Sequence, residues 1–505
     1  MFPAGKAVDA REFDKRAVER GIPSLILMEN AAFSLFLEVS RVIDEFKPEK
    51  IVVFAGKGGN GGDGFALLRI LKDRGCNIPM YIVPFFTVTP LHNSTGAINR
   101  APALTTHDSP FTVHDSLTNW KMLPKSVEIT GMENISGKVL FIDAMVGTGL
   151  KDDLTGRMRE GVEFINKYND KFVVAVDIPT GLNSDTGIIM GVAVVADLTV
   201  TMGIYKTGLF ASKGPSVSGR IVLGKISAID DEKDQYTYFV EENVVPELVD
   251  IPIDSFKNKN GHLLIIGGDL DKLGATIISA RSFMVSGGGL VTAAFSKDLH
   301  EKIAGVMPGM MLADIDEVPK KLHQFSSIII GPGLSKWPFE KHDIFKNYKG
   351  ILIIDAGMFD IMNEFNYILE SLKDLKVVFT PHPGELKRFL KAHTDEPWIN
   401  SVERFQLKKD HILVAKSHST FIRSVEKTVI IPHGAKALSF GGSGDALTGL
   451  IAYETNFSGF ESGVKRAVLR HRMAGIELEK RYSATFHDIG KLIELIGITG
   501  KKDVC

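Results

Sequence analysis

Residues 51–55 read Ile-Val-Val-Phe-Ala, a run without polar alternation, and the string GKGGNGGDG at 56–64 follows at once. A strand apolar on both faces must be covered on both, as in a parallel sheet flanked by helices. FALLRILKDRG comes next with a helical pattern, so the segment reads strand, glycine loop, helix. Related apolar runs recur at MYIVPFF (80–86), VLFIDAMVG (139–147), FVVAVDIP (172–179) and DLTVTMG (197–203). A helical pattern, LILMENAAFSLFLEVSRVIDEF, precedes the first of them. Ligands of open parallel sheets bind at the carboxyl ends of the strands. The Asp, Gly and Thr residues closing these runs are therefore the candidate site.

The plan restarts further on. HLLIIGG (262–268), SSIIIGPGL (326–334), ILIIDAG (351–357), VVFTPHPGE (377–385), ILVAK (412–416) and TFIRS (420–424) read as strands and their exits. A second glycine loop, GGSGD at 441–445, then opens the helical pattern ALTGLIAYE. Residues 228–258 are polar, charged and proline-bearing, and read as a linker. A chain of 505 residues with this linker accommodates two large α/β domains. The halves share a plan but no motif, which points to two different α/β folds in one chain.

The formal charge is −2, from 59 basic and 61 acidic residues, with no basic arm, so no nucleic-acid partner is expected. No apolar run is long enough for a membrane span, and none is expected. The first 21 residues lack an apolar segment, which argues against a signal peptide. Two cysteines, Cys76 and Cys505, allow one disulfide at most and favour a reducing, cytoplasmic setting.

Gly56, Gly58 and Gly61 satisfy the G-x-G-x-x-G pattern of dinucleotide-binding loops. An ordinary dehydrogenase also places an acid at the end of the second strand for the ribose. Here that strand ends Phe85-Phe86-Thr87, so a plain dehydrogenase is disfavoured. The wider string is more specific. LMENA (27–31), GKGGNGGDG (56–64), IDAMVGTGL (142–150), VDIPTGL (176–182) and ADLTVTMGIYKTGL (196–209) occur in this order. Together they resemble the NAD(P)H-hydrate epimerase domain, also called the YjeF N-terminal domain, over residues 1–226.

That resemblance implies a Rossmann-like three-layer domain. It implies a potassium ion held with Asn60, Asp143 and Thr180. It places Gly59, Asn60, Gly61, Gly62 and Asp63, with Gly147, Thr148, Gly149, Leu150, Lys151, Asp152 and Asp153, along the hydrated nicotinamide nucleotide. Asp177 would contact the substrate and act as acid–base residue. The substrate has a hydroxyl on C6 of the nicotinamide ring, and its loss gives a planar cation to which water returns on either face. A carboxylate beside C6 can move the proton and stabilise that cation. The family usually has two asparagines before Gly-Gly-Asp, whereas this chain has Gly59-Asn60.

GGSGD lies before a helix, where successive backbone N–H groups form an anion hole. An Asp at its edge can take the proton of a hydroxyl attacking a phosphoryl group. No Lys-Ser or Lys-Thr follows the last glycine, so the loop is not of the Walker type. GHLLIIGG (261–268), LGATIISA (273–280), GGGLVTAA (287–294), GPGL (331–334), TPHPGE (380–385) and GSGDALTG (442–449) run in order. They resemble the ADP- or ATP-dependent NAD(P)H-hydrate dehydratases, a branch of the ribokinase-like α/β fold, over residues 238–502.

This second resemblance implies hydrate contacts from Ala275, Gly333, His382 and Asp445. It implies nucleotide contacts from Lys416, Ser417, His418, Ser419, Thr420 and Gly444. Asp445 would be the catalytic base, with Mg²⁺ accompanying ADP or ATP. Departures from the family are Lys416-Ser417-His418-Ser419-Thr420 for Lys-Gly-(Ala/Gly)-x-Thr, Gly357 where an Asp is usual, and HGAKALSF (433–440) for Gly-x-Pro-Gly-Met-Ala.

The expectation is a bifunctional repair enzyme that takes NADHX and NADPHX, epimerises the R and S forms and dehydrates the S form. A homo-oligomer is expected from the ribokinase-like resemblance. The alternatives are a ribokinase-like small-molecule kinase, which TPHPGE and the fused N-terminal half oppose, and a nucleotide-binding scaffold without turnover.

Overall fold

The computed structural model describes residues 1–86, 88–92, 98–102, 110–227, 236–241, 260–364, 366–432 and 434–499. Thr87, His433, Cys505 and most of the stretch read as a linker lie outside them. Within that stretch, Tyr238–Val240 is a short strand. The chain divides into two compact units, Phe2–Phe239 and Met1 with the chain from Val240 onward.

In the N-terminal unit seven strands form a parallel sheet. They are β1 (Lys50–Ala55), β2 (Met80–Pro84), β3 (Val127–Ile129), β4 (Val139–Ala144), β5 (Lys171–Val176), β6 (Leu198–Met202) and β7 (Arg220–Gly224). Their order is β7-β6-β5-β4-β1-β2-β3. The chain winds outward from β1 to β3, then returns to place β4 on the other side of β1. That reversal opens a crevice beyond Ala55 and Ala144.

The continuous apolar runs are explained by cover on both faces. Ile51, Val53, Leu140 and Ile142 pack with helices α1 (Ser24–Phe46) and α2 (Gly59–Asp73). Val52, Phe54, Val139 and Phe141 point the other way and pack with α3 (Gly156–Lys167). Alternate residues of one strand thus build two separate cores, giving the three-layer arrangement.

The C-terminal unit carries nine consecutive strands of one sheet. Its strands are β8 (His262–Ile266), β9 (Leu290–Phe295), β10 (Met310–Asp314), β11 (Ser327–Ile330), β12 (Ile351–Ile354), β13 (Lys376–Phe379), β14 (His411–Ala415), β15 (Thr420–Arg423) and β16 (Thr428–Ile431). The order is β16-β15-β14-β13-β12-β11-β8-β9-β10. Strands from β10 across to β14 are parallel, while β15 and β16 pair antiparallel. The reversal here falls between β8 and β11. Helices α4 (Leu273–Val285), α5 (Pro383–Phe389), α6 (Ser443–Phe457), α7 (Phe460–Arg481) and α8 (Ile489–Ile498) complete the parts used below. The fold class is α/β, a unit with Rossmann-like strand order followed by a second unit built on a mostly parallel sheet.

The Met-rich stretch 306–311 runs into β10 at the sheet edge, where Met310 packs in the core and Met311 is exposed. Among the described residues, no helix is long and apolar enough to cross a membrane.

Candidate active sites

The first glycine loop turns directly into α2. Gly59 is its first helical residue, so Asn60, Gly61, Gly62 and Asp63 follow in its opening turns, and the N–H groups of Gly59, Asn60 and Gly61 precede the first intrahelical bond, from the Gly62 amide to the Gly58 carbonyl at 3.1 Å. The glycines have unequal tasks. A Cβ on Gly56 would lie 1.9 Å from the Met145 carbonyl oxygen, and one on Gly61 would lie 1.9 Å from that of Gly56. Nothing stands within 4 Å of the corresponding point on Gly58. Two glycines of the fingerprint are therefore required by backbone packing at the ends of β1 and β4, and Gly58 faces open space.

Asp143 is fully buried near the end of β4. Its Oδ2 accepts from the Thr180 amide at 2.8 Å and its Oδ1 from the Thr180 hydroxyl at 2.7 Å. Burial pushes its carboxyl up to about 6, against the pull of these hydrogen bonds. Asn60 Nδ2 donates to the Val176 carbonyl at 2.8 Å. A Cβ on Gly147 would stand 2.4 Å from Asn60 Oδ1, so glycine there lets the 147–153 loop lie against the amide. In that loop Thr148 and Leu150 are half-buried, and Gly149, Lys151, Asp152 and Asp153 are exposed.

Asp177 follows β5 with φ +66°, a left-handed conformation that costs a non-glycine residue energy. Its Oδ1 accepts from Lys206 Nζ at 2.5 Å, from the Met202 amide at 3.0 Å and from the Thr201 hydroxyl at 3.2 Å. All three donors meet one oxygen, and among the described residues none donates to Oδ2. Lys206 is buried, and its ammonium also donates to the Met202 carbonyl at 2.7 Å. Its backbone is fixed by parallel pairing of Tyr205–Lys206 with Phe2–Gly5. Buried Asp63 is raised well above the usual carboxylate range, by burial first and then by the charges of Asp177 and Asp14.

In the C-terminal unit Gly442 caps α6 with φ +95°, and Gly444 and Asp445 lie in the helix's first turn. Lys416 leaves β14 and sends its ammonium to Asp355 Oδ1 at 2.7 Å. The same Nζ would be 3.2 Å from a Cβ on Gly444. Lys416 therefore stands beside the opening turn of α6. Burial alone would lower its ammonium, but Asp355, Glu385 and Asp445 raise it, so it stays charged. Asp445 is half-buried. Burial and the charges of Asp355 and Glu385 raise it to about 6, with Lys416 acting against them.

Gly333 (φ +70°) and Ala275 stand at the β8–β11 reversal, where the Asp269 amide donates to the Gly333 carbonyl at 3.2 Å. His382 caps α5, its Nδ1 accepting from the Gly384 and Glu385 amides at 3.0 and 3.3 Å. Nε2 therefore carries the proton, on a ring that is largely exposed. In the departing nucleotide segment Ser417 and Thr420 are half-buried and His418 is exposed. Ser419 Oγ is buried without a hydrogen-bond partner. The departure at Gly357 has a steric reason, since a Cβ there would lie 1.9 Å from the Leu334 carbonyl oxygen.

Residues 24–208 match the family described as YjeF-related protein N-terminus, and residues 263–494 match NAD(P)H-hydrate dehydratase. The chain is 34% identical over 227 residues to an NAD(P)H-hydrate epimerase of Levilactobacillus brevis, covering 45% of this chain and 94% of the relative. The chain belongs to the NAD(P)H-hydrate repair family. It is also 28% identical over 466 residues to a bifunctional NAD(P)H-hydrate repair enzyme of Dictyoglomus turgidum, covering 86% of this chain and 85% of that one. The corresponding enzyme of Coxiella burnetii is 29% identical over 456 residues, with 87% of each chain covered.

Within this repair-family chain, sequence reasoning missed two residues. Lys206 sits inside the quoted string ADLTVTMGIYKTGL, yet no motif says that its ammonium reaches Asp177. His471 lies on α7, 28 positions beyond Ser443, and its ring contacts the second glycine loop. A single histidine in an amphipathic, charge-rich helix gives no sequence signal for that.

Proposed function

We propose that the chain is a bifunctional enzyme that repairs hydrated NADH and NADPH, epimerising the R and S hydrates in its N-terminal half. The C-terminal half dehydrates the S form using ADP or ATP. The observation that carries this reading is a parallel one. Each half holds an aspartate, Asp177 or Asp445, at a sheet's carboxyl end, close to a lysine and a glycine-opened helix.

In the epimerase half, the ring nitrogen lone pair expels the C6 hydroxyl and leaves a planar cation. Asp177 Oδ2 faces that centre and moves the proton as water leaves and returns, while its charge stabilises the cation. Asp63, raised well above the usual carboxylate range by burial, would donate a hydrogen bond to the departing oxygen from its protonated form. Asn60 Oδ1, Asp143 and Thr180 supply only oxygens and one carboxylate, a set suited to a weakly charged hard cation such as K⁺. That ion would organise the 147–153 loop against Asn60.

In the dehydratase half, hydroxide is a poor leaving group. Asp445 takes the proton from the C6 hydroxyl as its oxygen attacks the terminal phosphoryl group. The amides of 441–444 and the Lys416 ammonium receive the phosphoryl charge. Phosphate then leaves with the C6–O bonding pair, a proton is lost from C5, and the C5–C6 double bond of the dihydropyridine returns. Mg²⁺ bound with the nucleotide would neutralise phosphate charge. Ala275, Gly333 and His382 line the hydrate's place, and residues 416–420 that of the nucleotide. The family resemblance and the few cysteines favour a homo-oligomer in a reducing cytoplasm.

The decisive separation is between the halves. D445N should lose nucleotide-dependent formation of the reduced dinucleotide and still interconvert R and S hydrates. Unchanged dehydration by D445N contradicts the assignment.

A further inference from the structure

The second glycine loop keeps an improbable shape. Gly442 is in the left-handed region, and the next three residues must present their amides outward. Three carbonyls of this opening turn, those of Ser443, Asp445 and Ala446, are held by side chains. Ser279 Oγ donates to the Asp445 carbonyl at 3.0 Å, and Ser282 Oγ donates to that of Ala446 at 2.6 Å. Thr448 Oγ1 adds a bond to the Asp445 carbonyl at 2.8 Å. The Ser443 carbonyl is taken by His471, whose Nε2 lies 3.0 Å from it and 3.2 Å from the Ser443 hydroxyl. A carbonyl only accepts, so Nε2 carries the hydrogen. The histidine is buried on α7, and α7 is a neighbour of α6 in the core.

We propose that His471 is a positioning residue for phosphoryl transfer. Its Nε2–H fixes the Ser443 peptide, and so sets the direction of the Gly444 and Asp445 amides and of the Asp445 side chain. Burial, with nearby Lys416, holds the ring neutral at ordinary pH. The Nε2–H bond therefore stays a directed neutral donor rather than adding charge beside the phosphoryl site. Preorganised donors act on the transition state more than on the bound ground state. Loss of this bond should therefore lower kcat with little effect on KM.

The inference rests on the dehydratase reading above. The test compares wild type, H471Q and H471M in the full-length protein, using S hydrate with ADP or ATP and Mg²⁺. The Gln amide nitrogen can reach the place of Nε2 and keep a donor, whereas Met fills the space without one. H471M should lose roughly 10-fold to 100-fold in kcat, and H471Q should recover most of it. Thermal unfolding is measured on all three, to compare kcat between folded proteins. An H471M kcat within twofold of wild type overturns the positioning role, as does equal loss in H471M and H471Q at matched melting temperatures. Absence of turnover in wild type would instead overturn the dehydratase reading itself.

Discussion

Lys206 Nζ and Asp177 Oδ1 lie 2.5 Å apart in a pocket where the lysine side chain is only 2% exposed and the aspartate 12%. The pair settles which carboxylate oxygen is free. Oδ1 accepts from three donors, so under the proposed function Oδ2 is the oxygen offered to substrate, on a backbone strained into φ +66°. Breaking the pair from the lysine side leaves a buried charge uncompensated. K206M should cost about 3 kcal/mol or more of N-terminal unit stability and most of the epimerase rate. K206M/D177N should regain part of the stability and none of the rate. Chemical denaturation with R/S interconversion assays checks both, and a K206M protein as stable and active as wild type rules the pair out as a device.

Monovalent ions give a second test. With Asn60, Asp143 and Thr180 as oxygen donors, replacing K⁺ by tetramethylammonium should slow epimerisation and leave nucleotide-dependent dehydration of pure S hydrate unchanged. Equal epimerase rates in the two salts at matched ionic strength remove the ion from the account.

The acid limb of the dehydratase follows from Asp445. Its carboxyl is raised to about 6 and must be ionised to accept a proton. As pH falls below that value the proton-accepting form is lost, and kcat/KM should drop about tenfold per unit. The Lys416 charge acts to lower this value, so K416Q should move the limb to higher pH. A pH–rate profile that is flat from 8 to about 5 contradicts Asp445 as base.

The departure at Gly357 predicts its own cost. A Cβ there meets the Leu334 carbonyl at 1.9 Å, so G357A should destabilise the C-terminal unit by about 1–3 kcal/mol. Installing the family's usual Asp should do no better. Thermal melts of both variants decide it, and a neutral G357D shows that this backbone can shift.

Much of this was legible in the sequence because strand ends and glycine loops are local. IVVFA-GKGGNGGDG names a strand, its exit and a helix start without any partner. The run HLLIIGG likewise gives β8. What was not legible depends on distant contacts. Nothing at position 471 says that its ring reaches Ser443, and nothing at 206 says that it reaches across to 177. The antiparallel turn of β15 and β16 was equally hidden, because a four-residue apolar run carries no direction. The glycine fingerprint was legible as a pattern but not as a set of tasks. Gly56 and Gly61 serve backbone packing, which sequence spacing cannot distinguish from ligand approach.

The central claim is that two sites in one chain act on one damaged cofactor. It is tested most directly by supplying an equilibrium mixture of R and S hydrates with ADP or ATP, Mg²⁺ and K⁺, and following recovery of reduced-dinucleotide absorbance. Wild type should recover essentially all of it, and D177A should stop after consuming only the S form present at the start, before slow spontaneous epimerisation. Full recovery by D177A at the wild-type rate would contradict the account.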